Sequence, residues 1–545
     1  MVGSNHPSCI DMLIIGSGPV GLTAAIEAAR MGLSYRIIER KSKRHTNDSR
    51  ALLLHPRLVE LLEVHPTFIS GLNDRATKIP CISIELIEAK TTITIGMEKQ
   101  RFGDTEYPGL NSLPQYQTEE CLEHVLNASG GKVEYGVAFE GLTQTAAGDG
   151  EVSVKVSTLA STGEKEEITA KYVVGADGGR SKVRESVGIS LERISSSVYF
   201  VVGDIKLTDD SPNTKLPGVS VMLTKDGPVA MFPLPDNNIR LVMQAPPNTT
   251  AKNTTLDKEY LENHMLEMTG KEFKVEIGEW MTIFEITHGV SNSYRKDHVF
   301  LVGDAAHIHS PVGGQGMNYG MWDAVSLLSK IAWAERVHNE HPDATEAIEE
   351  ILASYVSERH SMGQKLVSGV KIATWVATTT NRYLQTFRNF MMRNLVSYVE
   401  KDIMRTVGQL DLAYKPSYSQ FILPVPTSSW LFKSKDYICH PGQRLPNLII
   451  ENGSRLYKQV DRVRYTYICV NLTNPPATAD NCIHIAPQKE QISIPAISGE
   501  TLASPQTILV RPDLYVAAVE LGHDSFEKLE AAVKNVFGAE CYAAM

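Results

Sequence analysis

Ile10-Asp11-Met12-Leu13-Ile14-Ile15-Gly16-Ser17-Gly18-Pro19-Val20-Gly21 reads as an apolar strand that runs into a glycine-rich turn. Leu22 to Met31 continues as an Ala-rich helix, and Ser34 to Ile38 as a second buried strand ending at Glu39. Strand, GxGxxG, helix, strand and acid follow one another at the spacing of a dinucleotide-binding βαβ unit. Gly16 makes the turn, Gly18 admits a pyrophosphate and Gly21 lets helix and strand pack. The helix N-terminus takes the phosphate charge. Glu39 accepts from ribose hydroxyls and disfavours a 2′-phosphate, so the expected ligand is FAD or NAD. Gly16, Gly18, Pro19, Gly21, Glu39 and the adjacent Arg40 are the first candidate cofactor contacts.

A second strand-to-glycine junction lies far downstream, at Val299-Phe300-Leu301-Val302-Gly303-Asp304-Ala305-Ala306-His307, followed by Pro311-Val312-Gly313-Gly314-Gln315-Gly316-Met317-Asn318. Met321, Ala324, Leu327, Leu328 and Ile331 then fall on one face of a helix expected over 317–335. Glycines 313, 314 and 316 let backbone approach a flat ligand, and the helix start aims N–H groups and a positive dipole end at it. Such a site suits a ring that becomes anionic, as a reduced flavin does at its pyrimidine edge. A third junction is Lys171-Tyr172-Val173-Val174-Gly175-Ala176-Asp177-Gly178-Gly179-Arg180-Ser181. Taken alone, Asp177-Gly178 is equally a plain turn.

The 545 residues exceed one ordinary domain. A formal charge of −10 argues against a nucleic-acid partner, since no basic run exceeds Arg40-Lys41-Ser42-Lys43-Arg44. Seven cysteines (Cys9, Cys81, Cys121, Cys439, Cys469, Cys482, Cys541) form no CxxC and read as reduced thiols of a cytoplasmic protein. No window has the length of a membrane span. Alternating stretches at 82–87 and 91–95, and strands at 198–205, 218–223, 229–234 and 239–245 with a polar helix near 256–268, read as an inserted substrate module. Its Met222, Met231 and Phe232 are candidates for an apolar pocket, and core packing explains them equally well. Residues 344–408 read as helical, and a Pro/Ser linker begins at Leu423. A separate unit from about 430 carries strands near 448–450, 467–472, 483–485 and 507–510. The expected class is α/β in three domains. A dinucleotide domain comprises 1–80, 105–190 and 291–410, a β-sheet substrate domain 81–104 and 191–290, and a C-terminal domain 430–545.

Taken together, GxGxxG with Glu39, the Asp177-Gly178 box and the Gly303-Asp304 box with its 311–318 extension resemble the class A flavoprotein monooxygenases, the family of para-hydroxybenzoate and phenol hydroxylases. The resemblance implies a Rossmann-type FAD-binding domain and a thioredoxin-like C-terminal domain, matched by Pro441 to Pro446 and Leu509 to Asp513 and given a packing or dimer role. It implies that Glu39 meets the adenosine ribose and Asp304 the flavin side of FAD. Arg50 and Gln115 match FAD-contacting positions, with Gln117 a competitor for the second. Asp177, Gly178 and Arg180 match a box used for FAD and the transient nicotinamide cofactor. Pro311, Gly314, Gly316, Met317 and Asn318 line the isoalloxazine.

The implied chemistry is oxygen insertion from O2 into a phenolic or polyketide-type aromatic through a C4a-hydroperoxyflavin, with NADPH or NADH as reductant. Alternatives on this scaffold are a Baeyer–Villiger or epoxidation outcome, an oxidase, or a non-catalytic flavin protein. The halogenase signature Trp-x-Trp-x-Ile-Pro is absent. Pro311 and Arg50 are expected at the catalytic centre. For a general base His55, Tyr319 and Tyr294 stand open, each with burial in the core as the competing fate. Leu52 stands where phenol hydroxylase carries an acid before the arginine matching Arg57, so simple phenol is a doubtful substrate. His307-x-His309 is read as structural, with no metal expected, and a homodimer is the expected assembly.

Overall fold

The computed structural model describes residues 9–44, 51–96, 102, 104–146, 152–212, 216–246, 249, 254–424, 438–449, 454–472, 482–485 and 505–545. Strand β1 (Ile10–Ile15) leads through the glycine turn into helix α1 (Pro19–Arg30), and strand β2 (Tyr35–Glu39) returns beside β1. Further strands of the same sheet come from distant parts of the chain: β3 (Lys165–Gly175) and β4 (Val299–Leu301). The parallel order is β4-β3-β1-β2, with Val174 opposite both Ile14 and Phe300. Both faces of these strands are covered, so Leu13, Ile14, Val173, Val174 and Phe300 have no exposure, as continuous apolar runs in a parallel sheet require.

Helix α2 (Gly316–Glu340) follows the second junction and packs its start on α1 through Gly303, Val20 and Gly320. A Cβ on Gly320 would stand 2.9 Å from the Gly303 Cα. Helices α3 (Thr345–Thr378) and α4 (Arg382–Val407) then follow, the helical content expected of 344–408.

The inserted module is an eight-stranded sheet: His307–Ile308, Val275–Val290, Ile194–Leu207, Ile239–Gln244, Gly227–Pro233, Val219–Thr224, Cys81–Leu86 and Thr91–Gly96 in spatial order. Val275–Val290, its longest strand, escaped the sequence reading because Glu276, Gly278 and Glu279 give its first half a solvated, turn-like composition. The alternation of the strands decides between the two readings of these side chains. Met222 and Met231 point to the face covered by the helix Lys258–Thr269, where they are 2% and 0% exposed in a core with Met265 and Met268. Phe232, one residue on, points to the opposite face and packs with Val219 and Leu234.

Residues beyond 438 build a four-stranded sheet, Cys482–Ile485, Thr466–Val470, Gln506–Val510 and Val516–Leu521, with the helix Ser525–Phe537 on one face. The expected strand at 448–450 is not formed over its described part, where Ile449 makes a single bridge to Arg455. Buried arginines fasten this unit to the rest. Arg444 pairs with Glu60 (3.0 Å) and Asp104, and Arg511 with Glu358 (2.9 Å) and Asp513 (2.7 Å). Arg57 donates to the Asp513 carbonyl (2.6 Å) and lies 4.7 Å over the Tyr515 ring.

Candidate active site

Because β4, β3, β1 and β2 are parallel neighbours, the residues that follow them stand in one row along the carboxyl edge of the sheet: Gly303-Asp304, Ala176-Asp177, Gly16 to Gly18, and Glu39. Ligands of open α/β sheets bind at this edge. Gly16 has φ +104°, and a Cβ there would lie 2.5 Å from the Ala176 carbonyl oxygen. On Gly21 a Cβ would lie 1.9 Å from the Gly16 carbonyl, so its hydrogen is what lets α1 start so close to the turn. Gly18 differs, since no atom lies within 4 Å of its would-be Cβ. It caps α1, with Pro19 at the first helical position, and the space before it is open to a ligand.

One end of the row is a polar cleft lined by Gly18, Glu39, Arg44, Gln115, Glu119 and Tyr135, among others. The carboxylate of Glu39 is held by the N–H groups of Ser17 and Lys41, each at 3.0 Å. Gln115 starts the helix Gln115–Ala128 and donates to Glu119 (2.9 Å), whereas Gln117 turns its amide nitrogen to the Tyr116 hydroxyl (3.0 Å). Gln115 is therefore the one that reaches the cleft. Burial pushes Glu119 up to about 7, against the opposing Gln115 hydrogen bond and the Lys41 and Arg44 charges. Arg40 is exposed at the end of β2, and Arg50 lies outside the described residues.

In the middle of the row, Asp177 Oδ2 accepts from the Val183 N–H (3.2 Å), and Oδ1 is buried without a hydrogen-bond partner. Burial raises its pKa. Gly178 has φ +82° and open space beside it, and Arg180 is exposed. The sequence reading missed Arg184. This buried side chain donates to the Ala305 carbonyl (2.9 Å) and the Gly179 carbonyl (3.2 Å), tying the second junction to the third. Its only sequence signal is its place on the short helix after the Asp-Gly turn.

At the other end, Gly313 and Gly314 have φ +82° and +63°, and Leu53 packs 3.0 Å from where a Gly314 Cβ would be. Asn318 is buried and fully engaged. It donates to the carbonyls of Leu53 (2.8 Å) and Gly314 (3.0 Å) and accepts from the His55 N–H (2.8 Å). Its side chain pins the loop, while the first-turn N–H groups of α2, on Gly316, Met317 and Asn318, are those a helix leaves free. Pro311 and Asp304 are exposed on the loop side. Behind the loop, Asp323 on α2 accepts from the Gly303 N–H (3.1 Å), His307 Nε2 (2.8 Å) and Arg359 Nε (2.7 Å). A sequence pattern does not announce Asp323, whose partners come from three separate elements.

The three candidate bases are all core residues. His55 is fully buried, with Nδ1 on the Val407 carbonyl, and burial lowers it to about 4. Tyr319, 2% exposed, packs against Trp322 and under the Arg359 guanidinium. Tyr294 is buried against His307 and His360, so burial, the competing fate, describes all three.

The residues fit FAD. Open space at Gly18, the orphaned Asp177 oxygen and two helix N-termini line a single edge, which matches a long anionic ligand ending in a flat ring. The fold and site thus define a Rossmann-type flavoprotein with an inserted sheet, the architecture of FAD-dependent aromatic hydroxylases. Residues 9–370 match the family described as FAD binding domain. The chain is 31% identical over 514 residues to an uncharacterized aromatic compound monooxygenase, YhjG, of Bacillus subtilis, covering 93% of each. It is 32% identical to 6-methylpretetramide 4-monooxygenase of Streptomyces rimosus, over 74% of this chain and 70% of the relative. The structure of OxyS anhydrotetracycline hydroxylase from Streptomyces rimosus superposes with a TM-score of 0.73 at 25% identity, covering 97% of this chain and 99% of that one. The chain belongs to the FAD-binding-domain family of flavin-dependent aromatic monooxygenases.

Proposed function

We propose that this protein inserts one oxygen atom into a phenolic or polyketide-type aromatic, with FAD extended along the carboxyl edge and NADPH or NADH as reductant. The observation that carries the reading is the row itself: three junctions, far apart in the chain, meet on adjacent parallel strands. When bound and reduced, FAD supplies the oxygen activation that amino-acid side chains lack.

The chain's own residues divide the remaining work. Glu39 and Gln115 receive the adenosine end. The Gly16–Gly21 turn and α1 take the pyrophosphate charge, with Pro19 presetting the first turn and Arg40 as a flanking cation. Asp177 and Gly178 would hold the middle of the cofactor and Asp304 its flavin side. The 311–318 loop would receive the ring, and the N–H groups at Gly316, Met317 and Asn318 would favour negative charge developing there. Arg184 and Asp323 act as positioning residues, holding the second and third junctions in register.

Partly buried apolar residues face the loop's surroundings from the sheet side opposite the helix Lys258–Thr269, among them Ile84, Val221 and Phe232, which cluster with Leu52 and Leu53. They suit a multi-ring aromatic and keep water away from the reacting atoms. Buried Leu52 offers no carboxylate to deprotonate a simple phenol, which favours substrates whose own ring substituents make them acidic or electron-rich.

The test is incubation of the yellow protein with NADPH and candidate aromatics under isotopically labelled oxygen. One labelled atom in the product is the expected result. Absence of flavin reduction by either nicotinamide cofactor would sink the reading.

A further inference from the structure

Helix α4 ends in a residue that its own backbone disfavours. The N–H of Leu410 bonds to the Arg405 carbonyl (2.9 Å) and that of Gln409 to the Thr406 carbonyl (3.1 Å), the paired bonds of a Schellman ending. Such an ending puts one residue in the left-handed region, where glycine is usual because it has no Cβ. Here that residue is Gln409, with φ +60°. It is also only 1% exposed, so a long, rotamer-rich side chain is held still in the interior. The helix ending requires neither feature, and strain of this kind persists where the surroundings impose it.

The contacts of the side chain supply the reason. Gln409 Nε2 donates to Gln315 Oε1 (2.9 Å). Gln315 stands between the glycine turn and α2, and its Cγ and Nε2 lie 3.4 and 3.6 Å from where a Gly313 Cβ would be, so its side chain folds over the turn. Asn318 holds Gly314, and Gln409 holds the residue that covers Gly313. The backbone that presents Gln409 is itself gripped. The Val407 carbonyl accepts from His55 Nδ1 and the Gly408 carbonyl from the Arg57 N–H (3.2 Å). Beyond Gln409 the grip passes to the C-terminal unit. Arg444 Nε donates to the Leu410 carbonyl (3.3 Å), the Tyr515 hydroxyl to the Leu412 carbonyl (3.1 Å), and the Tyr414 N–H to the Gly442 carbonyl (2.8 Å). Held on both sides, this strap offers the flavin loop a donor at a fixed place.

We propose that Gln409 is a positioning residue for the flavin loop, and that the C-terminal unit serves the active site by clamping the 407–414 strap that presents it. The inference rests on the FAD reading above and gives the C-terminal unit a part in it.

The test is made on the full chain loaded with FAD, without substrate, by redox titration against reference dyes. Gln409→Met keeps the length and the left-handed strain of the side chain and removes the donor. It should leave the melt of the FAD-free protein close to that of wild type. The midpoint potential should fall by the equivalent of a threefold to tenfold loss, roughly, in preference for reduced over oxidised FAD, because N–H groups less well aimed favour the anionic ring less. Gln409→Gly, which suits the left-handed backbone, should shift the potential as far; a shift confined to Q409M would trace to the helix ending and overturn the role of the amide. Q315M/Q409M should shift it no further than Q409M alone, and additive shifts overturn the pair. Tyr515→Phe, outside the row at the sheet edge, should move it in the same direction by about twofold or more. An unmoved potential there overturns the part given to the C-terminal unit. A yellow wild type with an unshifted Q409M overturns this proposal alone, whereas a wild type that takes up no FAD overturns the flavin reading and this one with it.

Discussion

At the scale of single residues, the glycines of the first turn separate into two physical kinds. A methyl on Gly21 meets the Gly16 carbonyl at 1.9 Å, whereas a methyl on Gly18 meets nothing. Gly21→Ala should lower the stability of the FAD-free protein by about 1–3 kcal/mol. Gly18→Ala should leave that melt unchanged yet weaken FAD binding about tenfold or more, read by flavin fluorescence titration. Equal losses of stability in both would refute the distinction.

Glu119 carries a pH dependence. Burial holds it at about 7 against an ordinary 4.5, so between these values the folded chain keeps a proton that the unfolded chain releases. Its contribution to stability is complete below pH 4.5 and is lost as pH rises through 7, amounting to about 3 kcal/mol. Glu119→Gln should flatten this slope in the FAD-free protein. The comparison is made as a difference from wild type, because burial also raises Glu63 to about 7.

At the scale of elements, the 311–316 loop owes its shape to a side chain outside it. Asn318 bonds to Leu53, Gly314 and His55, so strand 53–54, the loop and the start of α2 are fixed together by one amide. Asn318→Ala removes three buried hydrogen bonds and should cost about 2–4 kcal/mol in urea unfolding. Flavin absorbance should shift as the loop relaxes, and an unchanged spectrum would argue that the loop holds its form without the amide. The direction of α2 was legible from its apolar spacing. Its buttress, Asp323 between Gly303, His307 and Arg359, was not, because a polar residue on a buried helix face looks the same whatever meets it.

At the scale of the whole molecule, buried charges join the C-terminal unit to the rest. Arg444 reaches Glu60 and Asp104, and Arg511 reaches Glu358, which also receives Lys330. Removing one member leaves carboxylates in a low-dielectric interior, so Arg444→Met should destabilise the full chain by about 3 kcal/mol or more. The loss is offset in part because Arg405 still pairs with Asp104. Chemical denaturation followed by tryptophan fluorescence checks it, and a change below about 1 kcal/mol would mean that the contact is solvated in solution.

The sequence by itself determined the βαβ unit, the turn at Gly16 and the close packing at Gly21, and the identity of the three junctions. Each of these rests on local chemistry: a backbone turn, a helix N-terminus, an apolar run. Tertiary structure alone decided which candidates face the edge and which are packing. It selected Gln115 over Gln117, buried His55, Tyr319 and Tyr294, sent Met222 and Met231 to the far side of their sheet, and supplied Arg184 and Asp323. It also set the thiols of Cys469 and Cys482 3.3 Å apart on adjacent strands, though they are thirteen positions apart in the chain. These outcomes depend on strand order and on partners hundreds of residues away, and local spacing carries no record of either.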